Sequence, residues 1–217
     1  MKEKSAKYFP VLIDLSRYPA LVIGGGTIAY RKVKNLLEFN GNMTVIAPEF
    51  CDELINLLNE MKIDVIKRKY EKGDIKGCKL VFAATGDEGV DKQIYDECIE
   101  EDALLNVADV PELCNFIMPS FIKKGDFTVA VSSQGKSPFF VKAMKKKIEA
   151  SLPENIEQIT ELASEFRNRL MKENLYSNEQ LRNKLIDKFL KTDWDSIINE
   201  NGIEAARQTM NEILMER

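Results

Sequence analysis

The sequence predicts an α/β protein: a parallel-sheet domain first, then a small α+β module, then an all-helical C-terminal region. Three observations carry that prediction. Up to about Asp109, short apolar runs alternate with segments of helical periodicity, the pattern of strands joined by crossover helices. Three consecutive glycines, Gly24-Gly25-Gly26, end the first apolar run and open the first helical segment. Beyond Pro153 the apolar residues fall at helical spacing throughout.

Taken in order, Ala20–Ile23 is a short buried strand, followed by a helix over residues 27–39 with Ile28, Val33, Leu36 and Leu37 on one face. Asn40-Gly41-Asn42 reads as the helix stop, residues 43–47 as a strand ended by Pro48, 51–61 as a helix and 64–67 as a strand. A buried strand over 80–84, a helix over 90–100 and a strand at Leu104–Val107 complete the domain. The pattern then changes. Residues 116–118, 121–123 and 127–132 are strand-like, with Lys124-Gly125-Asp126 as a hairpin turn. Ser137 followed by Pro138 is a favoured N-cap and first helical position, opening a helix that runs to about Ser151. In the tail, Ile156 to Leu170, Leu181 to Phe189 and Trp194 to Ile198 define helices, Asn201-Gly202 ends one, and a last amphipathic helix covers 203–215. The boundaries read from this are 1–114, 115–152 and 153–217.

Composition narrows the chemistry. A chain of 217 residues needs no disulfide or metal staple to bury a core. A net charge of −4 disfavours a general nucleic-acid binder while leaving room for a local basic pocket. There is no histidine, which removes Ser-His-Asp and Cys-His machinery, the commonest zinc sites and the usual proton shuttle near neutral pH. Acid–base work falls to Asp, Glu, Lys, Tyr or Cys. Cys51, Cys78, Cys98 and Cys114 contain no CxxC pair and read as free thiols of a cytoplasmic protein, with no metal site expected. No stretch approaches a membrane span, and the charged residues 1–7 lack the apolar region of a signal peptide.

Gly24-Gly25-Gly26-Thr27-Ile28-Ala29 matches G-x-G-x-x-G/A between a strand and a helix, the fingerprint of a Rossmann-type dinucleotide site. Gly24 permits the tight turn, Gly26 lets the backbone approach a pyrophosphate, and Ala29 lets the helix pack close to the sheet. The helix N-terminus offers unpaired N–H groups to the phosphate. Glu49, after Pro48, stands where a carboxylate accepts hydrogen bonds from an adenosine ribose; no Arg adjoins it, which favours NAD over NADP. A solvated loop carboxylate is the competing reading. Thr85 follows the 80–84 strand at the ligand-binding edge of the sheet, where it contacts a cofactor or makes an ordinary turn. Asn106-Val107-Ala108-Asp109 ends the next strand at that edge. There Asp109, partly desolvated, is the carboxylate placed to serve as general base, or else it is a turn residue before Pro111. Ser132 to Pro138 forms a hydroxyl- and glycine-rich loop suited to an anion. Ser133, Lys136 and Ser137, with Lys142 and the lysines following it, are candidates for an acidic substrate or for a solvated face.

Together these segments resemble the precorrin-2 dehydrogenase family, the stand-alone enzymes and the N-terminal part of siroheme synthase. The resemblance is carried by Tyr8-Phe9-Pro10-Val11, Leu21 to Gly26 with Arg31-Lys32, and Thr44-Val45-Ile46-Ala47-Pro48. It continues through Ala83-Ala84-Thr85, Asn106-Val107-Ala108-Asp109, Phe116-Ile117-Met118-Pro119-Ser120 and Ala130-Val131-Ser132-Ser133 to Ser137-Pro138. It implies oxidation of precorrin-2 to sirohydrochlorin with NAD as acceptor, and a homodimer formed through the central module. The family aspartate falls on Asp109 and the second serine of its Ser-Ser pair on Ser133. Some members also insert Fe²⁺ into sirohydrochlorin, in which case Fe²⁺ is a substrate; others only oxidise. A non-catalytic NAD(H)-sensing module and a dehydrogenase of another small acid are the alternatives. The first has no need of Asp109, the serine loop and the lysine helix together, and the second normally employs His or Lys.

Overall fold

The computed structural model describes residues 8–39, 41–173 and 175–216. Asn40 of the expected helix stop and the charged residues 1–7 lie outside them. The described residues form two compact units, one ending at Met118 and the other beginning at Pro119.

The first unit is a five-stranded parallel sheet. Its strands are β1 (Ala20–Ile23), β2 (Met43–Ile46), β3 (Asp64–Ile66), β4 (Leu80–Ala83) and β5 (Leu104–Val107), in the order β3-β2-β1-β4-β5. The helices are α1 (Thr27–Leu37), α2 (Asp52–Met61) and α3 (Glu88–Glu100). Because strand side chains alternate between faces, Ala20, Val22, Val45 and Phe82 join α1 and α2 residues in one core layer. Leu21, Ile23, Ile46, Val81 and Leu105 join Ile94 and Cys98 of α3 in the other. Such continuous apolar strands are what a sheet covered on both faces requires. The helix α3 starts earlier than the periodicity predicts, because the Asp87 carboxylate caps it by accepting from the amides of Gly89 and Val90.

Residues 116–118, expected as a strand, join no sheet among the described residues. Side chains occupy the free edge of β5 instead: Asn115 Oδ1 accepts from Leu105 N at 2.7 Å, its Nδ2 donates to Ala103 O at 3.1 Å, and Cys114 Sγ accepts from Val107 N at 3.2 Å. Phe116 and Met118 then pack on the α1–α2 core layer, the Phe116 ring edge-on to Phe82 at 5.4 Å.

The second unit opens with an antiparallel hairpin, β6 (Ser120–Lys124) and β7 (Phe127–Val131), turned at Gly125 and Asp126. Then come α4 (Pro138–Ser151), α5 (Ile156–Lys172), α6 (Glu179–Lys191) and α7 (Trp194–Met215). Leu162, Phe166, Leu185, Phe189, Trp194 and Met210 form the core of the last three helices, and Trp194 Nε1 donates to Phe189 O at 2.7 Å. Gly202, at φ 80°, breaks α7 in two where the Asn-Gly pair predicts a helix end. No helix among the described residues is long and apolar enough to cross a membrane.

Candidate functional site

The glycine turn sits between two neighbouring strand ends. Gly24 N donates to Ile46 O at 2.9 Å, Ala84 N donates to Ile23 O at 2.7 Å, and Cys51 N donates to Gly25 O at 2.8 Å. The three glycines have different reasons to be glycine. Gly24 takes φ 135°, and a Cβ there would lie 2.3 Å from Ala84 O. A Cβ on Gly25 would lie 1.8 Å from Glu49 O. Gly26 takes an ordinary negative φ, and a Cβ built on it meets nothing within 4 Å. No protein contact demands glycine there, and the open space lies at the first turn of α1.

That turn carries no side-chain cap and no acidic residue. Gly26 and Thr27 are exposed and Ile28 half-buried, while Ala29 is fully buried against the sheet. Exposed amides at the positive end of a helix, beside space that a side chain would fill, fit a phosphate group. Pro48 and Glu49 are exposed at the end of β2, where the Glu49 carbonyl leaves no room for a side chain at Gly25.

Thr85 is half-buried and its hydroxyl is engaged, donating to Asp91 Oδ1 at 2.6 Å and accepting from Asp87 N at 3.1 Å. Burial raises the pKa of Asp91, partly offset by that hydrogen bond. Asn106 is buried. Its Oδ1 accepts from Lys32 Nζ at 2.7 Å and its Nδ2 donates to Phe116 O at 3.1 Å. Asp109 stands just beyond β5 at φ 60°, a left-handed conformation uncommon outside glycine. Its side chain is exposed, which corrects the expected partly desolvated carboxylate: the strand has ended, and Ala108-Asp109 turn away from the core.

In the second unit, Gln134 at φ 55° and Gly135 at φ 81° fold the serine loop back on itself. Ser137 occupies the N-cap of α4, but its hydroxyl makes no cap bond; Ser133 Oγ instead accepts from Ser137 N at 2.9 Å. Ser133 and Ser137 are half-buried, and Lys136 and Lys142 exposed.

Sequence reasoning gave Lys32 and Cys114 no role in the site, naming Lys32 only within the Arg31-Lys32 pair of the resemblance and Cys114 only as a free thiol. The signal for Lys32 lay in the helix period, because it falls between Ala29 and Leu36 on the buried stripe of α1, where a cation is out of place. Among the described residues no cluster of three or more His, Cys, Asp or Glu side chains could hold a metal ion.

A parallel α/β sheet whose first strand feeds a glycine turn and an uncapped helix defines the Rossmann class of dinucleotide-binding domains. The chain belongs to the "Putative NAD(P)-binding" family, whose profile matches residues 11–120. It is 37% identical over 163 residues to Siroheme synthase of Vesicomyosocius okutanii subsp. Calyptogena okutanii, covering 75% of this chain and 35% of that protein. With Siroheme synthase of Thioalkalivibrio sulfidiphilus it shares 32% identity over 207 residues, 95% of this chain and 42% of the relative. The chain therefore spans well under half the length of these curated relatives. Among solved structures, "SirC, precorrin-2 dehydrogenase" has the same fold, with a TM-score of 0.65 at 24% identity, covering 96% of this chain and 98% of that one.

Proposed function

We propose that this protein is an NAD-dependent precorrin-2 dehydrogenase that yields sirohydrochlorin for siroheme synthesis. The observation that carries the reading is the likeness to siroheme synthases over three quarters of the chain, joined in this structure by a phosphate-ready glycine turn and a strand-end aspartate. Gly24 to Ile28 hold the pyrophosphate, the amides at the start of α1 supplying its hydrogen bonds. Pro48 and Glu49 border the adenosine ribose, Glu49 accepting from its hydroxyls. Thr85 and Asn106 shape the cofactor edge of the sheet. The bound dinucleotide supplies a hydride acceptor. Asp109 would take the one proton that the macrocycle must lose besides the hydride in this two-electron oxidation. Ser133, Lys136, Ser137 and Lys142 bind the carboxylate-rich macrocycle, which accounts for a lysine-bearing helix in an acidic protein. Fe²⁺, where the protein also serves chelation, is a substrate.

Anaerobic spectroscopy of the purified protein with precorrin-2 tests this. Stoichiometric sirohydrochlorin and NADH are expected, with NADP⁺ the poorer acceptor because its 2′-phosphate meets the Glu49 carboxylate. No oxidation with either dinucleotide overturns the reading; equal turnover with NADP⁺ removes Glu49 from its role.

The same reading includes a cytoplasmic homodimer. Its cysteines Cys51, Cys78, Cys98 and Cys114 are all free, as expected in a reducing compartment. Helix α4 buries none of its residues, and Phe139 and Phe140 are 80% and 56% exposed beside the β6–β7 hairpin. A second copy covering that face is the expected occupant. Light scattering is expected to give twice the chain mass of 24.7 kDa, and a monomer at micromolar concentration excludes the dimer.

A further inference from the structure

The proposed reaction leaves unused a half-buried cation in the first unit, Lys32, that reaches the buried Asn106. Lys32 Nζ donates to Asn106 Oδ1 at 2.7 Å, lies 3.7 Å from Met118 Sδ and stands 5.7 Å from the Phe82 ring centre. Among the described residues it makes no ion pair with a carboxylate. Setting an ammonium against a neutral amide in such surroundings is unfavourable, and methionine would fill the same space. Packing alone therefore does not call for the charge; what methionine could not replace is the donor to Asn106 Oδ1.

What the charge touches leads to Asp109. Asn106, held by Lys32, donates to Phe116 O and approaches Cys114 Sγ at 3.7 Å. The Cys114 thiol accepts from Val107 N, and its Sγ is within donating distance of Val107 O at 3.3 Å and Val110 O at 3.4 Å. Val107 and Val110 bracket the Ala108-Asp109 turn. A left-handed aspartate costs backbone energy that its surroundings must offset, and these contacts flank the turn on both sides.

We infer that Lys32 is a positioning residue, acting through Asn106 to hold the turn that presents Asp109 for proton transfer. This rests on the proposed dehydrogenase reading. Burial lowers the Lys32 pKa; Cys114 acts to raise it, Arg31 to lower it further, and Asp109 to raise it. Those are the ionisable groups that face it: Arg31 from α1, Asp109 from the end of β5, and Cys114 from the segment that returns along β5.

Lys32→Met and Lys32→Arg in the whole protein test the inference. Lys32→Met is expected to lower kcat roughly 10- to 100-fold at temperatures well below its thermal midpoint, the usual cost of misplacing a reacting group, with the NAD⁺ dissociation constant changing less than kcat; the midpoint itself falls modestly, because the buried Asn106 Oδ1 loses its donor. Lys32→Arg is expected to recover most of the rate. In the wild type, kcat falls on the alkaline side as the ammonium loses its proton, below the ordinary lysine range. That limb moves to higher pH in Lys32→Arg and vanishes in Lys32→Met. Amide hydrogen exchange over residues 105–116 is expected to quicken in Lys32→Met. Wild-type kcat and exchange in Lys32→Met overturn the inference, as does a loss of rate that only tracks a fall in thermal midpoint. A wild-type protein that does not oxidise precorrin-2 overturns the functional reading instead, and the exchange measurement still decides whether Lys32 holds the Asp109 turn.

Discussion

Replacing Asp109 with asparagine is expected to lower kcat for precorrin-2 oxidation by roughly 10²–10⁴-fold, the usual effect of removing a positioned acid–base group. The NAD⁺ dissociation constant is expected to stay within about two-fold, because the glycine turn lies at β1 and Asp109 beyond β5. Asparagine is the informative replacement. It tolerates the left-handed backbone that Asp109 adopts at φ 60°, so the turn is kept while the proton acceptor is lost. Asp109→Ala removes both and is expected to cost an additional amount of order 1 kcal/mol in stability. Stopped-flow absorbance of the macrocycle measures the rate, and titration of intrinsic fluorescence measures dinucleotide binding. A full rate in Asp109→Asn moves the proton acceptor to another residue. The same variant incubated with sirohydrochlorin and Fe²⁺ reads whether metal insertion depends on this carboxylate.

Gly26→Asp is expected to abolish detectable NAD⁺ binding, a loss on the order of 10²-fold or more, while the fold stays intact or gains stability. The physical reason is particular to this turn. Gly26 has ordinary backbone angles and open space where its side chain would stand, so nothing in the protein resists the substitution. Aspartate is moreover a favoured N-cap, and α1 has no side-chain cap of its own. The new carboxylate would take the amides that the pyrophosphate needs and repel it. Gly25→Ala is expected to behave in the opposite way. Its methyl group would meet Glu49 O at 1.8 Å and Ala47 Cβ at 3.0 Å, which forces the β1–α1 turn away from the end of β2 at a cost of about 3 kcal/mol or more. Calorimetric titration and thermal melting separate the two effects. Unaltered NAD⁺ affinity in Gly26→Asp would place the phosphate elsewhere.

These two experiments divide along the line between what was legible in the residues and what was not. The order of strands and helices in the first unit was legible because a buried parallel strand writes itself as an unbroken apolar run. Ala20–Ile23 and Leu80–Ala83 are such runs, and Leu104–Val107 departs from one only at Asn106. The break at Gly202 was legible in the Asn-Gly pair. Residues 116–118 were misread because their apolar character serves the α1–α2 core layer through Phe116 and Met118, while the pairing capacity of β5 goes to the side chains of Asn115 and Cys114. Propensity reports that a segment is apolar and extended; it does not report which edge is already occupied.

The glycine motif, the strand-end aspartate and the lack of histidine were determined by the sequence alone, because each is a statement about residue type and spacing along one chain. That Gly24 and Gly25 answer to neighbouring backbone while Gly26 faces open space was decided by the tertiary structure, since β4 and the end of β2 reach the turn only through long-range parallel pairing. The same holds for Asp109, whose side chain is exposed beyond the end of β5, and for Lys32, whose partner Asn106 lies far along the chain. Periodicity along one helix places a lysine on the buried face, but only the packing of that helix on the sheet supplies the amide oxygen that receives it.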